Sequence, residues 1–285
     1  MSDRLRPLWD FDDLDATEKR FRSQLAVESS EGRAEVLTQL ARVEGLRGDF
    51  EEGERLIEEA EAIGASRVAR ARIDLERGRL RRSSGNVEAA LPLFESAFAT
   101  SLEAGELFVA VDAAHMAALA TPNRNGFVAW THRGIELAES GDELARYWLG
   151  PLLNNLGWEL YESGEYSDAL DAFQRALGER KRDPENRAAI EIARYAVAKT
   201  MRALGRPEEA VPLLEHAVAW TDSTGTPDGW FHEELAEECA ALGRENDARE
   251  HARRALPLLL DADPSFEDSE RAARLRLLAG SEQDS

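Results

Sequence analysis

The fold of this chain is decided by the stretch Asn154-Asn155-Leu156-Gly157-Trp158-Glu159-Leu160-Tyr161, which is followed by Gly164, Ala169, Phe173 and Ala176. Gly157 and Ala169 flank the turn at Gly164, so they can face each other where two antiparallel helices come closest. Ala169, Phe173 and Ala176 share one face of the second helix, because residues three and four apart are neighbours on a helix. Small residues let the backbones approach, and the Phe173 ring fills the space beside them. The stretch therefore predicts a tightly packed helix hairpin.

Weaker copies of this hairpin recur along the chain. The small residues that close the second helix of each copy are Ala60, Ala97, Gly134, Ala176, Ala217 and Ala255, at steps of 37 to 42 residues. The third copy is degenerate, with Met116-Ala117 where the fourth has Leu156-Gly157. Repetition at such a period is typical of a solenoid, in which no single unit buries its own apolar face. We therefore expect an all-α, right-handed α-solenoid of about six degenerate antiparallel helix pairs with capping helices.

The hairpin resembles the tetratricopeptide repeat. The residues that match the family's pattern are Leu156, Gly157, Ala169 and Phe173. Leu153 and Leu160 replace two aromatic residues of that pattern and keep bulk in the helix interface. The resemblance covers residues 31–260. It implies that the first helix of each pair lines a concave groove and that the second helices form the outer wall.

Three segments are expected along the chain. Residues 1–30 form an N-terminal capping segment and helix, residues 31–260 form the repeat array, and residues 261–285 form a C-terminal capping helix with a short tail. Trp9 and Phe11 are expected to cover the apolar face of the first repeat. The polar stretch 222–229 is predicted to be a long loop and the best candidate for a flexible joint.

Composition argues against several classes of function. A formal charge of −21 and a pI near 4.7 disfavour nucleic acid and anionic membranes as partners, because phosphate contacts need clustered Lys and Arg. The one cysteine, Cys239, excludes an internal disulfide. No signal peptide is visible, and no stretch approaches the roughly 18 apolar residues of a membrane span. We expect a cytoplasmic protein.

The residues do not form a recognisable catalytic pattern. His232-Glu233 begins like a zinc-protease helix, but the second histidine is absent, and the metal needs both imidazoles on one face. Cys239 has no positively charged neighbour in sequence, so a buried small hydrophobe is favoured over a nucleophile. We therefore expect a non-enzyme, with no catalytic residue, metal or cofactor.

Helical spacing on the first helices selects the side chains that would face the groove. The predicted partner-binding residues are Arg42, Arg79, Asn154, Trp158, Tyr195, Lys199 and Arg202. The cations would pair with a partner's carboxylates, Asn154 would bond its backbone, and the two aromatic residues would pack its apolar side chains. In the alternative interpretation, Trp158 and Tyr195 pack against neighbouring helices, and Arg79 pairs with Glu76 or an acidic loop.

Three functional classes follow from these residues. A scaffold or adaptor that binds an extended peptide or a partner's tail is favoured, because a concave helical array offers extended surface without chemistry. A regulator that senses a small ligand or signalling peptide is the alternative, and a hydrolase is the least favoured class. The predicted partner is a protein or peptide that carries carboxylates. The sequence leaves the partner's identity and the oligomeric state open.

Overall fold

The computed structural model describes residues 3–63 and 66–280, and these residues form helices, turns and short connections without a strand. The α-helices are α1 (Leu14–Val27), α2 (Ser30–Arg47), α3 (Phe50–Ala62), α4 (Arg67–Ser83), α5 (Val87–Ala104), α6 (Leu107–Ala120), α7 (Arg124–Ser140), α8 (Glu143–Arg146), α9 (Leu149–Glu162), α10 (Tyr166–Arg180), α11 (Arg187–Ala203), α12 (Pro207–Thr224), α13 (Gly229–Ala241), α14 (Glu245–Ala262) and α15 (Glu270–Ala279). Short 3-10 helices lie at Arg6–Leu8 and Pro264–Asp268. The expected tail at 281–285 lies outside the described residues.

The helices form six successive pairs within the described part of the chain. The first helices are α2, α4, α6, α9, α11 and α13, and the second helices are α3, α5, α7, α10, α12 and α14. The helices of a pair pack against each other, and the six small residues that close the second helices are buried. The predicted all-α solenoid of helix pairs is therefore confirmed. Helix α1 precedes the first pair, and α15 follows the last.

The chain divides into two compact units, one ending at Leu152 and the other beginning at Leu153, inside α9. In the first unit α2 contacts α4, and α4 contacts α6. In the second unit α11 contacts α13, and α13 contacts α15. Within each unit, therefore, the first helices of successive pairs lie side by side. Among the described helices, none combines the length and apolar character needed to cross a bilayer.

Close glycine–phenylalanine contacts hold a pair together in each unit. A Cβ atom on Gly157 of α9 would lie 2.5 Å from Cε1 of Phe173 on α10, and a Cβ on Gly78 would lie 2.5 Å from Cε1 of Phe94. Both phenylalanine rings are fully buried. The prediction that a small residue opens space for the Phe173 ring is confirmed. The turn between α9 and α10 contains Gly164 at φ 77°, a left-handed conformation that favours glycine.

The prediction of a long loop at 222–229 is wrong about its length. Helix α12 continues to Thr224, where the threonine hydroxyl lies 3.0 Å from the carbonyl oxygen of Thr221 and is bonded to it. Gly225 then ends the helix in a left-handed conformation, with φ 73°. The carboxylate of Asp228 accepts from the backbone N–H groups of Trp230 and Phe231 and so caps α13. These end signals shorten the connection to residues 225–228.

Candidate functional site

Arg79 on α4 is held in an ion-pair network of the first unit. Its guanidinium donates to Oε1 of Glu76 at 2.5 Å and also to Asp112 on α6. Burial opposes the charge, but these two carboxylates raise the pKa of Arg79 above its ordinary value. The ion pair between Arg79 and Glu76 is one that the alternative interpretation of the sequence predicted. Sequence reasoning missed Asp112, which lies on the next first helix.

Arg42 on α2 is in a different environment. Its guanidinium carbon lies 5.2 Å from the ring centroid of Trp9 and 5.4 Å from that of Phe11, which are cation–π distances. Within the described residues Arg42 has no ion-pair partner. Burial, together with the positive charge of Arg79, lowers the pKa of Arg42. Arg42 and Arg79 line one cavity of about 120 Å³, together with Glu76, Leu80 and Met116.

In the second unit, Trp158 and Tyr195 belong to a row of aromatic rings. The Trp158 centroid lies 5.0 Å from that of Phe173, 5.7 Å from Tyr161 and 6.3 Å from Tyr195. The Tyr195 centroid lies 5.5 Å from that of Phe231 on α13. Trp158, Tyr161 and Tyr195 pack against the core but keep part of their surface exposed. The row therefore runs from α9 through α11 to α13, as the packing interpretation expects, and still offers ring surface to solvent.

Lys199 and Arg202 on α11 share the carboxylate of Glu234 on α13. Lys199 Nζ lies 2.9 Å from Oε2 of Glu234, and Arg202 Nε lies 2.5 Å from Oε1. The two cations are 20% and 32% exposed, whereas Glu234 is 2% exposed. Burial alone would raise the pKa of Glu234, but the hydrogen bond from Arg202 and the charge of Lys199 hold it below its usual range. Two partly exposed cations thus have one buried anion between them.

Asn154, the remaining predicted contact residue, is partly exposed on α9. It precedes Trp158 by one helical turn, so the two residues share a face of α9.

Glu238 on α13 is a buried group that sequence reasoning missed. It is 0% exposed, and neither carboxylate oxygen has a hydrogen-bond partner among the described residues. Burial, together with the negative charge of Glu234, raises the pKa of Glu238 to about 8. Glu238 is therefore mostly protonated at neutral pH. Its place four residues after Glu234 could have indicated that both lie on one helix face.

Glu238 makes the stability of the fold depend on pH. Between about pH 4.5 and pH 8 the unfolded chain loses this proton while the folded chain keeps it, so the free energy of unfolding falls as pH rises. From pH 5 to pH 7 we expect the titration of this group to lower the free energy of unfolding by about 2.5 kcal/mol. Glu238→Gln should remove that slope, as measured by urea unfolding at several pH values. Glu162→Gln, at an exposed site, should keep it; parallel profiles for Glu238→Gln and the wild type would contradict the assignment.

Two further carboxylates of α13, those of Glu233 and Glu237, are bound by arginines of α15. Arg271 Nε donates to Glu233 at 2.7 Å, and Arg274 Nε donates to Glu237 at 3.0 Å. Glu234, the residue after Glu233, faces the cations of α11 instead. Ion pairs therefore connect α11 to α13 and α13 to α15.

His232, the first residue of the zinc-like motif, is paired with a histidine of the next helix. Its Nδ1 lies 3.0 Å from Nδ1 of His251 on α14, and burial lowers the pKa of both residues. Over residues 3–63 and 66–280, no group of three or more His, Cys, Asp or Glu side chains is arranged to hold a metal ion. The two imidazoles share a hydrogen bond inside the last helix pair, which gives both histidines a structural explanation.

Solved structures with similar folds come from several organisms. A signal transduction ATPase with numerous domains (STAND) from Pyrococcus horikoshii, which has a tetratricopeptide repeat sensor, matches with a TM-score of 0.69 and 15% identity over 98% of this chain and 49% of that one. This chain thus spans about half of that protein. The apo quorum sensor NprR from B. thuringiensis matches with a TM-score of 0.60 and 13% identity, over 97% of this chain and 84% of that one. BtubC from P. vanneervenii matches with a TM-score of 0.59 and 18% identity, over 78% and 92% of the two chains. At these identities the likeness shows the fold.

Protein-family models locate the repeats directly. No curated protein matches the chain. Models described as tetratricopeptide repeat match residues 34–59, 152–182 and 192–216. Each match begins in a first helix and ends in or just after the second helix of the same pair: α2 and α3, α9 and α10, α11 and α12. These three helix pairs therefore match the tetratricopeptide repeat.

Proposed function

We propose that this protein is a non-catalytic scaffold that binds an extended peptide, or the unstructured tail of a partner protein, along the first helices of the second unit. The observation that carries the proposal is the combination of the aromatic row with the cations of α11. Trp158, Tyr161 and Tyr195 offer partly exposed rings, and Lys199 and Arg202 flank the row.

The charge balance of this surface favours a carboxylate-bearing partner. Lys199 and Arg202 share the single anion Glu234, and Glu238 adds little negative charge at neutral pH because its pKa is raised to about 8. Glu233 and Glu237 are already paired with arginines of α15. One positive charge is therefore left over, on a chain whose formal charge is −21. A partner's carboxylate can accept a charge-assisted hydrogen bond from Arg202 without displacing Glu234 from Lys199.

The aromatic row favours an extended apolar segment beside that carboxylate. Rings that are fixed by packing lose little conformational freedom on binding, and partly buried Trp and Tyr are common anchors in interfaces. Asn154, on the same face of α9 as Trp158, would supply a donor and an acceptor to the peptide backbone.

Peptides selected from a random library against the immobilised full chain provide the test. We expect the selected sequences to combine Asp or Glu with large apolar residues, and Arg202→Gln to weaken their binding about tenfold, the loss of one charge-assisted hydrogen bond. Arg202→Gln leaves Lys199 bonded to Glu234, whereas Trp158→Ala would disturb the packing of Phe173. Fluorescence anisotropy gives the affinities.

Arg206→Gln is the matched control, because it makes the same chemical change at the start of α12, at an arginine whose side chain is 42% exposed and pairs with Glu209. Its affinity should equal that of the wild type. If the Arg202 and Arg206 variants bind the selected peptides equally well, the proposed surface is wrong.

A peptide-responsive regulator is the second candidate. It is favoured by the similarity of this fold to NprR, whose structure is also known in complex with its cognate peptide NprX and matches this chain with a TM-score of 0.52 and 15% identity. A regulator should change its radius of gyration in small-angle scattering when a selected peptide saturates it. A scaffold should keep the same radius with and without the peptide.

A further inference from the structure

A segment of the first unit lies across its own first helices. Residues Asp3–Phe11, here named the strap, begin at α4, where Arg72 Nη2 donates to Oδ1 of Asp3 at 2.8 Å. The strap continues over α2, where Trp9 Nε1 donates to Oε1 of Gln39 at 2.9 Å. Trp9 and Phe11 were expected to cover the apolar face of the first repeat. Trp9 packs against the core of the first unit as expected, 5.3 Å from the ring centroid of buried Phe21. Phe11 instead stacks on Trp9, with ring centroids 4.7 Å apart, beside Arg42 of α2.

The strap uses the kinds of contact that an extended peptide would make with such helices. A carboxylate of the strap is bound by an arginine, and an indole of the strap donates to a glutamine and lies over a second arginine. Arg72, Gln39 and Arg42 all belong to first helices. The partners of Asp3 and Trp9 are 69 and 30 residues away in sequence, so these contacts join separate elements.

The fit between the strap and the helices is incomplete. A cavity of about 70 Å³ lies between them, lined by Asp3, Arg6 and Trp9 of the strap and by residues of α2, α4 and α6. Two residues that line this cavity carry buried polar atoms without a hydrogen-bond partner in the described structure: Nε1 of Trp148 and Oε2 of Glu76. Such atoms are costly when unsatisfied. A different segment in the same place could satisfy them.

The strap is also unevenly anchored. Leu5 is 1% exposed and belongs to the core of the first unit, whereas Phe11 is 46% exposed. The guanidinium of Arg6 is placed over Tyr147, 4.8 Å from the ring centroid, and has no ion-pair partner within the described ranges. The half of the strap that carries Trp9 and Phe11 is held by hydrogen bonds with Gln39, Thr17 and Arg20 and by ring contacts, while the Phe11 ring itself stays half-exposed.

We infer that the strap is an intramolecular occupant of a second peptide-binding surface, formed by α2 and α4 of the first unit. The segment that replaces it is a peptide with the strap's own chemistry: a carboxylate for Arg72 and an indole, six residues later, for Gln39 and Arg42. This inference extends the proposed function to the first unit. In the resting protein the strap excludes such a peptide.

The test uses a fluorescent peptide with the sequence of residues 1–13 and two forms of the full chain. In the wild type the tethered strap competes with the peptide. In Trp9→Ala/Phe11→Ala the strap is loosened, while Gln39, Arg42 and Arg72 remain. We expect the variant to bind the peptide at least tenfold more tightly than the wild type. We also expect a peptide with alanine in place of its tryptophan to lose at least tenfold in affinity for the variant.

Equal affinity of the folded wild type and the folded double variant for the peptide would overturn the inference. Equal affinity of the double variant for the peptides with and without tryptophan would overturn it as well. If the double variant loses its helical circular dichroism, the milder Phe11→Ser replaces it, with a gain of at least threefold expected. Loss of helicity there as well, or no gain, would show that the strap is a fixed part of the fold. Peptides selected on the second unit report the proposed function separately, because their binding depends on Arg202 and not on Trp9.

Discussion

Replacing Phe173 by alanine is expected to lower the free energy of unfolding by about 3–5 kcal/mol, the range for truncating a buried phenylalanine. The ring is fully buried, contacts the backbone region of Gly157, and lies 5.0 Å from the Trp158 ring centroid. Its loss leaves a cavity between α9 and α10 in the second unit. Urea unfolding followed by circular dichroism measures the change. Gln174→Ala, at the exposed neighbouring position, should change the free energy by less than about 0.5 kcal/mol.

The same contact predicts that the effect of Gly157→Ala on the free energy of unfolding changes sign when Phe173 is removed. With Phe173 present, Gly157→Ala places a methyl group 2.5 Å from the ring, and the overpacking costs about 1–3 kcal/mol, more than the gain in helix propensity. In the Phe173→Ala background the same substitution should stabilise the protein by up to about 1 kcal/mol, because the clash is gone and alanine favours the helix. An equal effect of Gly157→Ala in both backgrounds would contradict the packing account.

Glu234→Gln is expected to destabilise the second unit by about 2–4 kcal/mol, because Lys199 and Arg202 lose the buried anion that they share. The value is below the full range for a broken buried pair, since both cations are partly exposed. The measurement is urea unfolding at pH 6, where Glu238 is protonated.

Glu237→Gln is the matched control for that variant. It makes the same change on the same helix and breaks the pair with Arg274, whose side chain is 45% exposed. An exposed pair contributes about 0–1 kcal/mol. Similar losses in the two variants would show that burial of Glu234 does not set the strength of its interactions.

The helix hairpins could be predicted because their signals are local. Gly157, Ala169, Phe173 and Ala176 lie within 20 residues, and the period of the helix alone places them on facing surfaces. Turn signals such as Gly164 fix where the two helices of the pair end. The loop at 222–229 was predicted too long, because polar residues such as Thr224 also form regular helix when a later glycine ends it.

The ion pairs could not be predicted in the same way. Arg79 pairs with Asp112, 33 residues away, and Lys199 pairs with Glu234, 35 residues away. The partner of each cation therefore depends on how neighbouring helix pairs stack. On α13 a shift of one residue decides whether Glu233 or Glu234 faces α11. Seven side chains were selected as groove residues from spacing alone. Spacing cannot tell which of their charges, such as that of Arg79, are already neutralised within the protein.

The position of the strap depends on long-range contacts as well. The sequence predicts that Trp9 and Phe11 cover the first repeat, but not which side chains the strap contacts there. Those contacts include Gln39 of α2, which accepts from Trp9, and Arg72 of α4, which donates to Asp3.

The central claim is that the first helices of the second unit form the recognition surface. Hydrogen–deuterium exchange of the full chain, with and without a saturating selected peptide, tests it most directly. The account predicts slower exchange in peptide fragments from α9, α11 and α13, with α10, α12 and α14 unchanged. Protection confined to the second helices, or absent throughout the second unit, would contradict it.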